Sequence, residues 1–332
     1  MKAIKKLIPA AIVAGFAGAA SADVSLYGLI DMSVGKSNLA ASGSEIGLHS
    51  GGDDGSSQGN STTRVGVKGN NDLGGGLKAN FKFETSGITG EGKVNGNNFF
   101  NRQAWFGLSG GFGEVRLGRQ DAVSFQVMNQ FDFNGVSNGV SAMTFSGAGV
   151  YQLDRHARSA QYISPAMGGV TIHAGFTQND DVPGTDANGH TNGYTNGTWN
   201  GNDKDSAAVG ATFTAGALVV GAAFSTANTK GGEDFASLAA SYDLKVVKVM
   251  AGYGDQGDTS KGFNLGVVAP VMGYSVGAIY SNNTETEKTN YELFVNKEFK
   301  KNLYGYAEYG FQKLKVGDDK AKSGAVGMIY VF

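Results

Sequence analysis

The last eleven residues constrain this chain more than any other stretch. They read Lys322-Ser323-Gly324-Ala325-Val326-Gly327-Met328-Ile329-Tyr330-Val331-Phe332. Taken every second residue, one face is Val326, Met328, Tyr330 and Phe332. The other is Ser323, Ala325, Gly327, Ile329 and Val331, smaller but not cleanly polar. A strand of about ten residues with an apolar outer face has the length needed to cross a membrane at a tilt. A soluble domain rarely finishes on a bare aromatic edge, because unpaired edges aggregate. A closed barrel removes the edge by pairing the last strand with the first. Taken alone, the stretch also fits the C-terminal strand of a soluble sandwich.

The N-terminus argues for the membrane. Lys2, Lys5 and Lys6 precede an apolar run from Leu7 to Ala20, followed by Ser21-Ala22. A basic region, a short apolar region and an A-x-A site form a secretory signal peptide. Residues 1–22 are therefore expected to be a leader, and residues 23–332 the mature barrel. The whole chain has 27 basic and 29 acidic residues; loss of the three leader lysines leaves 24 against 29, about −5. Such a surface has no general attraction for nucleic acid. With no Cys, an exported chain has no disulfide scaffold. No later run approaches the 18 apolar residues of a spanning helix.

Period-2 alternation recurs along the chain and predicts strands. Val24, Leu26, Gly28, Ile30, Met32 and Val34 form one face of the first. A polar segment, 36–61, is followed by a strand from Thr63 to Lys68 and the turn Asn70 to Gly75. The returning strand puts Leu77, Ala79, Phe81 and Phe83 on one face and Lys78, Asn80, Lys82 and Glu84 on the other. Lipid outside and water inside account for such a pattern. Further strands are expected near 98–109, 114–121, 158–165, 169–178, 204–214, 217–227, 233–243, 245–254, 261–270, 272–282, 288–299, 302–314 and 322–332. The expected fold is all-β, a sixteen-stranded antiparallel transmembrane β-barrel. Short connections alternate with long ones (37–60, 122–157, 179–203), the layout of an outer-membrane barrel. Sixteen strands leave an aqueous lumen.

The connection 122–157 is rich in Val, Met and Phe, and loops of this length are usually functional. It is expected to fold into the barrel and narrow it, the alternative being contact with a neighbouring subunit. Two G-x-S-x-G matches, at Gly107 and Gly273, lie at a hairpin turn and within a strand. Neither has the strand–turn–helix setting a nucleophile needs. His49, His156, His173 and His190 are isolated and lack metal-ligand spacing. No Walker loop or dinucleotide fingerprint is present. The expectation is no enzyme, no cofactor and no resident metal. The acidic pairs Asp53-Asp54 and Asp318-Asp319 read as solvated loop charge, with Ca²⁺ held between lipid phosphates as the alternative.

The chain resembles the trimeric general diffusion porins of Gram-negative outer membranes, in the form found in Neisseria and Comamonas relatives. The resemblance rests on Asp23 to Gly28, on Arg64-Val65-Gly66-Val67-Lys68-Gly69-Asn70-Asn71-Asp72-Leu73-Gly74-Gly75-Gly76-Leu77-Lys78-Ala79, on Gly111-Phe112-Gly113-Glu114-Val115-Arg116-Leu117-Gly118-Arg119-Gln120, and on Phe332 with Tyr330. It implies a sixteen-stranded barrel with the third long loop folded inward. It implies a homotrimer set in outer-membrane lipid and lipopolysaccharide, passing small solutes and ions. Tyr330 and Phe332 would be the signal read by the barrel-assembly machinery.

The resemblance also implies a constriction in which wall arginines face acidic groups of the loop. The matching positions are Arg64, Arg102 and Arg155. Parity supports Arg64 and, opposite in sign, Glu84. It is weaker for Arg102, since Phe106 and Leu108 would share its face. Arg155 lies beside His156 and Arg158, and which of these lines the pore is open. The loop supplies Asp121, Asp132 and Asp154. Val115 and Leu117 face outward, so Arg119 is expected outside, where the resemblance places a subunit interface. Rings of Arg favour anions, so the arginines lean that way, while the mature charge leans the other. Rival expectations are a substrate-specific porin using the inward Tyr27, Tyr304 and Tyr306, a plugged structural or adhesin barrel, and a barrel enzyme.

Overall fold

The structure, a computed structural model, describes residues 23–37, 39, 46–50, 59–94, 98–136, 138–152, 155–178, 204–229, 231–313 and 320–332, with the short pairs 184–185, 191–192, 194–195 and 198–199. The expected leader, 1–22, lies outside the described residues.

Sixteen long strands form the wall among the described residues. They are β1 (Asp23–Ser37), β2 (Arg64–Gly74), β3 (Leu77–Ser86), β4 (Gln103–Gly110), β5 (Gly113–Asp121), β6 (Arg155–Ile163), β7 (Val170–Thr177) and β8 (Ser206–Ala215), then β9 (Leu218–Ser225), β10 (Phe235–Asp243), β11 (Lys248–Gln256), β12 (Ser260–Val271), β13 (Tyr274–Asn283), β14 (Thr289–Lys300), β15 (Leu303–Lys313) and β16 (Lys320–Val331). Each pairs antiparallel with its sequence neighbour. β1 closes the barrel. Its first half pairs with β2, from Asp23↔Asn70 to Leu29↔Arg64. Its second half pairs with β16, from Leu29↔Val331 to Ser37↔Ser323. Phe332 completes the seam: Gly28 N donates to its carbonyl at 2.9 Å and its own N donates to Gly28 O at 3.1 Å. The aromatic end is therefore paired, which satisfies the backbone in a membrane where an open edge cannot stand. A short strand, Gly47–Ser50, continues the pairing of β1 beyond the end of β2.

The alternation has the expected sense. Val24, Leu26, Ile30, Met32 and Val34 are exposed, as are Leu238, Leu293, Val326 and Met328. Their neighbours Asp31, Ser33, Ser237 and Glu292 are buried. This is a lipid-facing outer surface around a polar interior. Among the described residues no helix is long and apolar enough to cross a membrane.

The apolar core is not between sheets. The connection after β5 forms α1 (Val123–Met128), a 3₁₀ turn (Asn129–Phe131) and α2 (Ala142–Ser146). Ser141 Oγ caps α2 by accepting from Thr144 N at 3.2 Å. α1 packs on β7, β8 and β9, and α2 on β13, β14 and β15. Val127, Met128, Phe131, Met143 and Val150 are fully buried. They meet Met250, Ile279 and Phe294 of the wall, all on the face opposite the lipid-exposed residues. The loop thus lies inside the barrel, held by burial of about 1.5–3 kcal/mol for each large apolar side chain.

Two boundaries differ from expectation. β4 begins at Gln103, five residues later than predicted, because Phe99-Phe100 form an exposed turn. β6 begins at Arg155, earlier than predicted, and so shortens the loop.

Candidate functional site

The lumen walls of β2 to β6 carry a charged strip at their long-loop ends. Arg64 opens β2. Its Nη1 donates to Ser61 Oγ at 3.3 Å and Thr62 O at 3.1 Å, neutral oxygens both. On β3, Glu84 accepts from Arg102 Nε at 2.6 Å and from Tyr27 OH at 2.7 Å, with Lys82 Nζ 3.5 Å away. Tyr27 reaches Glu84 across β2 because Gly66 stands between them. A Cβ there would sit 2.6 Å from the Tyr27 ring.

Arg102 precedes β4, so strand alternation does not govern it; that resolves its conflict with Phe106 and Leu108, which face lipid. Asp121, at the end of β5, has Arg155 Nε 2.9 Å from Oδ1 and accepts from Gln103 Nε2 at 2.8 Å on Oδ2. Gln103 in turn accepts from Trp105 Nε1 at 2.9 Å. Lower on the same wall, Arg116 pairs with Glu114 at 2.6 Å and lies 4.5 Å over the Trp105 ring.

The structure therefore brings Arg64, Arg102, Arg155, Glu84 and Asp121 onto one side of the lumen. Charges of Arg102, Glu84 and Asp121 all act on Arg64. Sequence reasoning missed Lys82 as a member, although its inward parity was in view.

One of the predicted constriction residues sits elsewhere. Asp132, expected at the opening, is buried at 6% exposure. Its carboxylate accepts from Tyr151 OH at 2.7 Å, Ser141 Oγ at 3.2 Å and Asn134 N at 3.2 Å. It sits between loop and wall because the apolar loop carries it inward. Burial pushes its pKa above the ordinary 3.8.

Arg119 was expected outside from the parity of Val115 and Leu117. The β5–β6 register shifts between Gly118 and Gln120, a β-bulge whose extra residue falls on β6, between His156 and Ser159; the β4–β5 register is unbroken and sets Arg119 opposite Ala104, on the outward parity of Val115 and Leu117. Gly118 has φ +129°, and a Cβ there would run into Ala104 O. Arg119 Nε donates to Asn101 O at 2.8 Å. Its charge acts on Arg155. Asp154 lies outside the described residues.

A second polar cluster lies under the loop. Asn134 Nδ2 donates to Glu292 Oε1 at 2.8 Å and Glu308 Oε2 at 3.1 Å. Ala142 N donates to Glu292 Oε2 at 2.8 Å, and Asn60 Nδ2 to Glu308 at 3.0 Å. Nearby, Tyr306 OH donates to Asp31 Oδ1 at 2.7 Å. Among the described residues no cation pairs with Asp31, Asp132, Glu292 or Glu308. Sequence reasoning passed over the wall acids Asp31, Glu292 and Glu308. Their signal was parity: each lies between two outward apolar residues, as Glu292 does between Tyr291 and Leu293.

A closed sixteen-stranded barrel, apolar outside, with a charged lumen and an inward loop, is a transmembrane β-barrel of the channel-forming class. This chain belongs to the Gram-negative porin family, whose model matches residues 10–317. It is 35% identical to outer membrane porin protein 32 of Delftia acidovorans over 52% of this chain and 48% of that protein, about half the relative's length. With an outer membrane porin protein of Bordetella pertussis it shares 26% identity over 98% of this chain and 90% of the relative. Among solved structures, the anion-selective porin from Comamonas acidovorans superposes with a TM-score of 0.69 at 22% identity, covering 94% of this chain and all of that one. Salmonella typhi OmpF, in complex with daunomycin, gives 0.69 at 15% identity over 93% of this chain and 97% of its own.

Proposed function

We propose that this chain is a passive channel of the outer membrane. Small hydrophilic solutes and ions cross it down their gradients, and its constriction prefers anions. One observation carries the sign of that preference. The strip holds Arg64, Arg102, Arg155 and Lys82 against Glu84 and Asp121, while the loop carboxylate Asp132 is buried away from the opening. Arg64 makes no ion pair among the described residues. In a narrow low-dielectric mouth this excess of positive charge attracts anions and repels cations. The Comamonas acidovorans porin that shares this fold is anion-selective, which supports the same sign.

The assembly proposed is a homotrimer, supported by the family resemblance. Residues 1–22 act as an export leader. Tyr330 and Phe332, at the seam with β1, serve as the barrel-assembly signal.

The test is the reversal potential of the purified protein in a planar bilayer under a salt gradient. Conductance in groups of three steps with an anion-selective potential is expected. A cation-selective potential would overturn the sign. Absence of conductance from a heat-modifiable, folded barrel would favour a plugged barrel.

A further inference from the structure

The foot of the charged strip sets two cations face to face. Lys68 of β2 and Lys82 of β3 are register partners. Both ammonium groups reach the same lumen ring: Lys68 Nζ lies 5.1 Å and Lys82 Nζ 5.6 Å from the centre of Tyr27. Like charges directly opposite one another destabilise a strand pair. The ring face attracts each ammonium but carries no net charge that would cancel either. Lys82 has Glu84 at 3.5 Å, yet Arg102 holds that carboxylate more closely, at 2.6 Å. Lys68 is exposed, and among the described residues it is in no salt bridge.

The two lysines border a cavity of about 390 Å³ that Ser25, Asn70, Asn80 and Trp105 also line. Two carboxylates reach it as well, Glu114 and Asp23. Glu114 is bound by Arg116 at 2.6 Å and accepts from Asn80 Nδ2 at 3.2 Å. Asp23, at the start of β1, is in no salt bridge among the described residues. The cavity lies below the arginines. Lys68 is four residues from Arg64 toward the short β2–β3 turn, about 13 Å along the strand, and in outer-membrane barrels the short turns face the periplasm.

We infer that this cavity is a second anion station, one that binds a tetrahedral dianion: inorganic phosphate or the phosphate group of a small phosphomonoester. Each ammonium is a multiple N–H donor, and Asn70 and Ser25 add neutral donors. A phosphomonoester offers about three strong acceptor oxygens and a charge of about −1.5 to −2 at pH 7. It bridges both lysines and relieves their repulsion. A monocarboxylate brings one charge and compensates only one of them. Asp23 holds the affinity down, which suits a station that must also release its ion. The inference rests on the proposed anion-conducting reading and adds to it a ligand class and a site.

The experiment records single-channel chloride current in a planar bilayer at constant chloride, while sodium phosphate, sodium glycerol phosphate or sodium acetate is added. Both phosphates should block saturably, and acetate should not at the same concentrations. Lys68→Gln should raise the half-blocking phosphate concentration at least about tenfold, and Lys68→Arg, which keeps the charge, should retain the block. Asp23→Asn should lower that concentration by about two- to fivefold. Lys301→Gln, in an exposed turn, should leave it unchanged. Equal block by acetate and phosphate in the wild type, a comparison that needs no variant, would overturn the inference. So would equal phosphate block in wild type and Lys68→Gln. Calorimetric titration of the detergent-solubilised protein with phosphate repeats the comparison without conduction and keeps the two readings apart. An anion-selective barrel whose phosphate affinity is the same with and without Lys68 sinks the station alone. A cation-selective barrel that loses phosphate binding in Lys68→Gln sinks the proposed selectivity alone.

Discussion

The lumen gathers ionisable side chains in two places and treats them in opposite ways. On the wall of β2 to β6, cations outnumber anions, and Arg155 and Asp121 keep about a fifth of their side-chain surface open (22% and 21%). Under the loop, four carboxyl groups are enclosed by amides, hydroxyls and backbone N–H groups, and among the described residues none of them is in a salt bridge. A charge that must act on a passing ion stays near water and is only partly compensated. A group that must hold a loop is buried and satisfied by hydrogen bonds, because an unsatisfied buried polar group is costly. The first region is built to make a field, the second to fix the object that narrows the field.

The largest expected effect tests the first half of that contrast. Arg64→Glu with Arg102→Glu replaces two positive charges by two negative ones in a strip that also holds Arg155, Lys82, Glu84 and Asp121. The reversal potential should change sign to cation-selective, with trimers still forming. An unchanged potential would mean that these residues lie off the ion path. The next effect tests the second half. Asn134→Leu removes the amide shared by Glu292, Glu308 and Asn60. Leaving buried carboxylates short of donors costs about 1–3 kcal/mol each. The loop should loosen, seen as higher open-channel noise and a lower unfolding temperature, while ion selectivity keeps its sign. A selectivity reversal in Asn134→Leu would erase the distinction between the two regions.

These two regions were unequally legible in the sequence. The wall could be read because lipid enforces one rule at every second residue, from Val24 in β1 to Tyr330 in β16. Arg64 and Glu84 followed from that rule directly. The rule fails where the strand does. Arg102 sits before β4, and a bulge places an extra residue on β6 between His156 and Ser159, next to Arg155. A bulge leaves no periodic trace, since it is one extra residue in a pattern of period two. The loop was harder still. Its many apolar residues showed that it packs against something, but not which of its acids would be carried in with it. Asp132 looked like a constriction residue because an acid in an inward loop is ordinarily solvated. Only the positions of Tyr151 and Ser141, nineteen and nine residues further along the chain, reveal a cage around it.

That cage makes a smaller, pH-dependent prediction. Burial raises the Asp132 carboxyl above 3.8, the Tyr151, Ser141 and Asn134 bonds opposing the shift. Glu292 and Glu308 face the same space as Asp132. The folded loop then holds a proton that the unfolded chain would release. The stabilisation is complete below 3.8 and declines as pH rises through the shifted value, by at most about 1.4 kcal/mol per pH unit. Open-channel noise should therefore increase from pH 4 to pH 8. Asp132→Asn, which cannot ionise, should flatten that dependence; a slope identical to wild type would assign it to other groups.

The smallest effect lies at the one place where the two designs overlap. Glu84 belongs to the field-making strip, yet its side chain is only 4% exposed and it accepts from both Arg102 and Tyr27. It could dilute the positive field or hold Arg102 where that field is needed. Glu84→Gln separates the two roles, because the amide keeps an acceptor for Tyr27 but loses the charge. If Glu84 mainly dilutes, anion preference should rise, by no more than about twofold in the permeability ratio, since lumen water and salt screen charge beyond roughly 10 Å at 0.1 M. If it mainly positions, Arg102 loses its 2.6 Å anchor and anion preference should fall despite the removal of a negative charge. The buried carboxylate with a direct cation partner is the arrangement in which breaking the pair is most disruptive. A fall would therefore show that even within the strip one acid serves structure, and that the division between field and scaffold runs through Glu84 itself.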